Sequence, residues 1–155
     1  MRWPVLAGLL ALCYAVALAS GLLVTTSVDT WYPTLAKPGF TPPSWLFPPV
    51  WWTLYTLMAV AAWRVWRAAG SFETARQALV LFFVQLAFNL EWSFLFFGMQ
   101  MIGWALLDSV VLWCLILLTT LAFFRRDRIA AVLMLPYLGW VGYATALNAA
   151  IWRLN

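Results

Sequence analysis

Five apolar stretches, each long enough to cross a bilayer, take up almost the whole of this chain. A helix needs roughly 20 apolar residues to span the hydrocarbon. The stretches are Pro4–Thr26, Trp45–Trp66, Gln77–Met99, Ile102–Phe124 and Ile129–Trp152. Backbone groups in lipid must find partners within the protein, which leaves helices or a closed barrel. The alternating pattern of a barrel is absent, so helices are expected. With 66% hydrophobic and 9% charged residues, there is no polar shell for a soluble fold. The expected fold is an all-α integral membrane protein. One domain over residues 1–155 would hold a bundle of five transmembrane helices, with a long ordered loop at 27–44 between the first two.

The first stretch has a competing reading as a signal peptide, because Arg2 precedes an apolar run and Ala17-Leu18-Ala19 resembles a cleavage site. The run continues through Leu22, Leu23 and Val24, a length that suits a retained span. Its small residues Ala7, Ala11, Ala15 and Ala19 form a helical row, as expected for close helix packing within the protomer or in a homodimer.

The net charge of +4 is distributed as a topology signal. Arg2, Arg64, Arg67, Arg76, Arg125, Arg126 and Arg128 fall on one side of the expected bundle, and only Lys37 and Arg153 on the other. The positive-inside rule then puts the N-terminus on the cytoplasmic side and the C-terminus opposite, in a multi-pass protein of a bacterial membrane. The arginines suit anionic lipid; no nucleic-acid partner is expected. There is no histidine, and Cys13 and Cys114 lack a metal-ligand spacing, so no metal site is expected and both read as small buried apolar groups.

The loop at 27–44 carries Pro33, Pro38, Pro42 and Pro43 together with Trp31, Tyr32 and Phe40. Proline excludes one long helix, and the aromatics exclude a flexible linker. A semi-rigid flap on the bundle mouth is expected, with an interfacial aromatic belt as the alternative. Among the 12 tryptophans, Trp3, Trp104 and Trp152 sit near span ends, where belts form. Trp51, Trp92, Trp113 and Trp140 lie deeper, and an indole N–H in lipid needs a partner, so they should face the bundle or a cavity.

Polar side chains within spans cluster inward. Gln85, Asn89 and Trp92 share one face of the third span, at offsets of four and seven. Trp140, Ala144, Leu147 and Asn148 make a stripe on the fifth, and Trp51 and Tyr55 lie one turn apart on the second. Two readings stay open. The amides can act as interhelical glue, worth about 0.6–2 kcal/mol, or as hydrogen-bonding groups in an indole-walled pocket for a large planar apolar ligand. Three aromatic-plus-polar stripes on three helices favour the pocket. Glu91 and Asp108 are the carboxylates within spans, each costing about 2.5–3.5 kcal/mol at mid-bilayer. Glu91 points off the Asn89 stripe, and the two lack the titratable partners of a proton relay.

The segments WYPTLAKPGFTPPSW, PVWWTLY, QLAFNLEW with FFGM, GWALLD, PYLGWVGYATALN and WR fall in order along nearly the whole chain. This series resembles the translocator protein family, also called the peripheral-type benzodiazepine receptor or tryptophan-rich sensory protein family. The resemblance implies a five-helix bundle, often a homodimer, with a pocket closed by the first loop. It implies binding of porphyrins such as protoporphyrin IX and of benzodiazepine or isoquinoline carboxamide ligands. A role in tetrapyrrole regulation or transport and in stress response comes with it. Some members are reported to promote light-dependent porphyrin breakdown attributed to pocket tryptophans, which here would be Trp51 and Trp140. By motif, Asn89, Trp92, Ala144, Leu147 and Asn148 belong to the same pocket, Tyr55 matches too, and Trp31, Pro42 and Pro43 match the loop.

This chain departs from the pattern in three places. Phe40 stands where tryptophan is usual, Glu91 where a small or neutral residue is usual, and the C-terminal segment from Leu147 to Arg153 lacks the tyrosine of the mammalian cholesterol motif. Sterol contact is therefore expected to be weak. Without histidine, axial haem ligation is disfavoured, and a free-base porphyrin needing no cofactor is the more natural ligand. No general acid–base pair supports ground-state catalysis. Transport ranks below binding, since the spans are not broken and five helices do not divide into inverted repeats.

Overall fold

The computed structural model describes residues 2–155, and among these all regular structure is helical, with no strand. Five long helices follow in order: α1 (Trp3–Thr25), α2 (Phe47–Ala69), α3 (Phe72–Ser93), α4 (Ile102–Phe124) and α5 (Arg128–Leu154). Around the bundle, α1 packs on α2, α2 on α5, α5 on α4 and α4 on α3, and α3 closes back onto α1 and α2. Four of the helices are long and apolar enough to cross a membrane: α1, α3 with the turn that ends it, α4 and α5. α2 has the same 23-residue length as α1. Pro48, Pro49, Arg64 and Arg67 make it less apolar, so composition alone singles out four crossing helices rather than five.

The helix ends follow local chemistry. Proline occupies the first turn of α1 and of α2, where its missing N–H has no intrahelical acceptor to lose. Gly70, at φ +86°, closes α2, and its N–H reaches Trp66 O at 3.0 Å. Ser71 then caps α3 by accepting from Thr74 N at 3.1 Å. This cap starts α3 five residues ahead of the expected Gln77, because a capped turn extends a helix beyond its apolar stretch. At the far end α3 widens into a π-turn over Phe94–Gly98, with Met99 N bonded to Phe94 O at 2.8 Å. Asp127 caps α5, accepting from Ile129 N at 2.8 Å and Ala130 N at 3.0 Å, while its other oxygen meets Arg64 at 2.9 Å. Pro136 lies inside α5 without ending it.

The arginines collect at one end of the bundle. Arg2 donates to Arg67 O at 2.9 Å, Arg64 pairs with Asp127, and Arg126 donates to Thr74 O at 3.1 Å. At the opposite end the connection after α1 is tied down at several points. Ser27 Oγ donates to Phe97 O at 2.7 Å, and Trp31 packs edge-on against Phe96 at 5.6 Å. Ala36 exchanges two hydrogen bonds with the Asn155 amide, at 3.1 and 2.9 Å. The Tyr143 hydroxyl donates to Phe40 O. Lys37 turns back onto its own segment, donating to Tyr32 O at 2.8 Å and Leu35 O at 3.0 Å.

One expectation is corrected, and two that left alternatives open are narrowed. Cys13 is buried, but Cys114 faces out of α4. Ala7, Ala11 and Ala15 are exposed and Ala19 is half-buried, so this row packs against nothing inside the protomer. Half-buried Trp113 faces the bundle, one of the two placements expected of it, and does not line the cavity. It donates to Leu138 O at 3.1 Å over Gly142, where an added Cβ would come within 3.1 Å of its nitrogen. Trp3, Trp104 and Trp152 are exposed near helix ends.

Candidate functional site

A cavity of about 660 Å³ lies between α1, α2, α3 and α5 at the end of the bundle away from the arginines. That size falls in the roughly 300–1,000 Å³ range of small-molecule pockets. Eight of the sequence-predicted residues line it: Trp51 and Tyr55 from α2, Asn89 and Trp92 from α3, and Trp140, Ala144, Leu147 and Asn148 from α5. Helical spacing explains the convergence, because each set lies on one face and the three faces meet.

Aromatic contacts fix the walls. Trp51 lies 5.7 Å from Tyr55 and 6.3 Å edge-on from Tyr137. Trp140 packs between Phe47 at 5.9 Å and Tyr143 at 5.6 Å. Trp92 stacks on Phe96 at 5.0 Å. The rings hold one another, so the walls are set before any ligand arrives.

The amides are largely spoken for. Tyr55 Oη donates to Asn89 Oδ1 at 2.5 Å, Asn89 Nδ2 donates to Tyr137 Oη at 2.8 Å, and Tyr137 Oη donates to Gln85 Oε1 at 2.7 Å. This chain of bonds runs through the bundle centre across α2, α3 and α5. Trp92 Nε1 donates to Asn148 Oδ1 at 3.0 Å, and Asn148 Nδ2 donates to Ile102 O at 3.1 Å. In contrast, the Trp140 indole N–H and the Ser20 hydroxyl are buried without a partner, and both residues line the cavity. The glue and pocket readings thus divide between residues: Asn89 and Asn148 join helices, while Trp140 and Ser20 keep polar atoms free.

Four predicted residues lie away from the lining. Gln85 is fully buried beneath it, its amide taken by Tyr137 and by the Met58 sulfur at 3.8 Å. Trp31 is drawn onto Phe96 instead, and Pro42 and Pro43 stop short of the cavity, which Val28, Asp29, Tyr32, Ser44 and Trp45 reach from the connection between α1 and α2. The motif pointed to the right segment and missed the lining residues by one to three positions. Also unforeseen were Ser20 and Gly21 of α1, and Phe47, Pro48 and Trp52 of α2. Ala17, Gly21, Val24 and Val28 recur at helical spacing, a signal in α1 that the alanine row beside it obscured.

The lining is nearly uncharged. Asp29 is its one ionisable carboxylate, and neither lysine nor arginine borders it. Tyr32, in the loop, also lines it; burial and then the Tyr143 phenol push its hydroxyl above the ordinary range, so it stays protonated. Asp108 is buried on α4 with neither oxygen hydrogen-bonded, whereas Glu91 faces outward. No group of metal-ligating side chains occurs among the described residues.

The chain matches the TspO/MBR family over residues 9–153. It is 43% identical over 146 residues to the tryptophan-rich protein TspO of Chlorobaculum tepidum, covering 94% of this chain and 92% of that one. It is 43% identical over 155 residues to the tryptophan-rich sensory protein of Cereibacter sphaeroides, covering 100% and 94%. To the Homo sapiens translocator protein it is 41% identical over 126 residues, covering 81% of this chain and 75% of the relative. Ordered motifs, a helical bundle of membrane character and identity of this extent lead to one conclusion: the chain belongs to the TspO/MBR family.

Proposed function

We propose that this protein is a five-span membrane receptor that binds a flat, largely apolar molecule in the cavity, with a free-base tetrapyrrole such as protoporphyrin IX as the leading ligand and drug-like benzodiazepine or isoquinoline compounds as further occupants. The observation that carries this reading is Trp140: it lines a 660 Å³ cavity while its buried indole N–H has no partner. An unpartnered buried donor costs free energy that an acceptor on a ligand recovers. Trp51, Trp92 and Trp140 supply stacking surfaces. Since no cation lines the cavity and Asp29 is its carboxylate, propionates would lie at the opening rather than in the interior. The loop would cap the aqueous end, and the arginine-rich end would face the cytoplasm. Ligand occupancy would then serve tetrapyrrole regulation or a stress response.

The test is a tryptophan-fluorescence quenching titration with protoporphyrin IX in detergent or nanodiscs. Wild type should quench saturably. Trp140→Ala should weaken binding about tenfold, the equivalent of about 1.4 kcal/mol, and Trp113→Phe should not. Equal affinity in wild type and Trp140→Ala would move the site elsewhere.

A second reading, light-dependent porphyrin breakdown, is favoured by the presence of both Trp51 and Trp140 on the cavity. Illumination of the complex should bleach porphyrin more slowly in Trp51→Phe. Bleaching at the wild-type rate would remove the tryptophan mechanism.

A further inference from the structure

We propose that the cavity is filled from the bilayer through a cleft between α1 and α2, so that its ligands are molecules already dissolved in the hydrocarbon. This rests on the ligand-binding reading above and adds the phase from which the ligand comes.

Leu18, Leu22, Trp45 and Trp52 all line the cavity. They are also 59%, 71%, 71% and 42% exposed. Side chains that line an enclosed void cannot be exposed to that degree; these four form the rim of an opening. Gly21 lies between Leu18 and Leu22 on the same lining, and a Cβ placed there would meet nothing within 4 Å. The gap is therefore empty where α1 passes it.

The rim reaches inward from the helix ends. From Thr25, the last residue of α1, to Leu18 is seven residues, or about 10 Å at 1.5 Å per residue. That is about a third of a hydrocarbon core roughly 30 Å thick. The rim is apolar, and the Thr25 hydroxyl is satisfied by Leu22 O at 2.7 Å. The loop end is held by polar contacts. Ser27 holds Phe97, Ala36 holds Asn155, and Tyr143 holds Phe40, while Trp31, Pro42 and Pro43 do not border the cavity. The exposed lining runs on to Asp29 and Ser44 at this end, but most of it is leucine and tryptophan along α1 and α2, where a solute in the acyl-chain region has no hydrogen bond to break. The chemical class this selects is planar and membrane-partitioning, a porphyrin entering with its propionic acids protonated or esterified.

The experiment places Leu22→Cys and Trp45→Cys in one protein, reconstituted in nanodiscs, and bridges them with a short bis-maleimide. The probe is protoporphyrin IX dimethyl ester, followed by stopped-flow tryptophan quenching. Bridging before the probe is added should slow association at least tenfold. Bridging after loading should trap the probe against extraction by empty liposomes. Association and release at the unbridged rate would overturn the cleft. Should the unbridged double variant bind no probe, Gly21→Trp carries the same test. Tenfold slower association sustains the cleft, and the wild-type rate overturns it. Absence of saturable quenching in wild type would instead overturn the binding reading itself.

Discussion

Trp92 donates its indole N–H to Asn148 Oδ1 at 3.0 Å, and Asn148 passes the connection on to Ile102 O at 3.1 Å. Three helices meet at one amide. Asn148 lines the cavity, yet its hydrogen-bonding capacity goes chiefly to holding α3, α4 and α5 together. Asn148→Ala should therefore act on stability before affinity. A loss of about 0.6–2 kcal/mol in detergent thermal unfolding is expected, with porphyrin affinity reduced less than by Trp140→Ala. The reverse order of the two affinities would show that the ligand uses the amide directly.

Tyr137 accepts from Asn89 and donates to Gln85, whereas Tyr55 only donates to Asn89. Tyr137→Phe strands two buried amide groups; Tyr55→Phe strands one acceptor. At about 1–3 kcal/mol for each stranded group, Tyr137→Phe should lower the unfolding midpoint more than Tyr55→Phe. Equal midpoints would mean that the network contributes nothing as a connected unit.

Asp127 joins the α5 cap to Arg64 on α2. Partial burial opposes its ionisation, but bonds from Ala130 N, Arg64 and Ile129 N, with the Arg64 charge, outweigh this and hold its carboxyl below the ordinary range. A depressed folded-state value means the ionised group stabilises fully above the unfolded value, about 3.9. That stabilisation is lost as pH falls through the folded value. Asp127→Ala should cost about 0.5–2 kcal/mol at neutral pH, the range for a lost helix cap. The difference from wild type should shrink under acid below about pH 4. A gap that stays constant from pH 7 to pH 3 would rule out the carboxylate as its source.

Ala7, Ala11 and Ala15 lie exposed along α1, and small residues let helices approach closely in lipid. A homodimer built on this row is our proposal for its use. Ala11→Cys, oxidised in the membrane, should give a disulfide-linked dimer on non-reducing gels. The exposed Cys114 on α4 is removed as Cys114→Ala beforehand so that it cannot form the same band. Monomer alone would place the dimer face elsewhere or exclude it.

Helix identity was legible because hydrophobic length and proline position act locally. The α4 boundaries match the expected stretch, Ile102–Phe124, and helical spacing alone grouped Asn89 with Trp92 and Trp140 with Asn148. What periodicity cannot state is which partner a polar group will choose. Gln85 sits on the same stripe as Asn89, one turn further from the cavity, and that single turn sends it to Tyr137 instead of to the lining.

The amino-acid order by itself determined a membrane-embedded helical bundle, its inward polar faces and its basic end, because desolvation of backbone and charge in lipid leaves few other solutions. Only the tertiary structure decided that the loop's prolines stop short of the cavity, that Ser20 and Trp140 keep the free polar atoms, and that Gly21 borders the cavity with open space beside it. Those outcomes depend on how five helices settle against one another. Packing geometry is a property of pairs of surfaces, and no single stretch of chain contains both members of a pair.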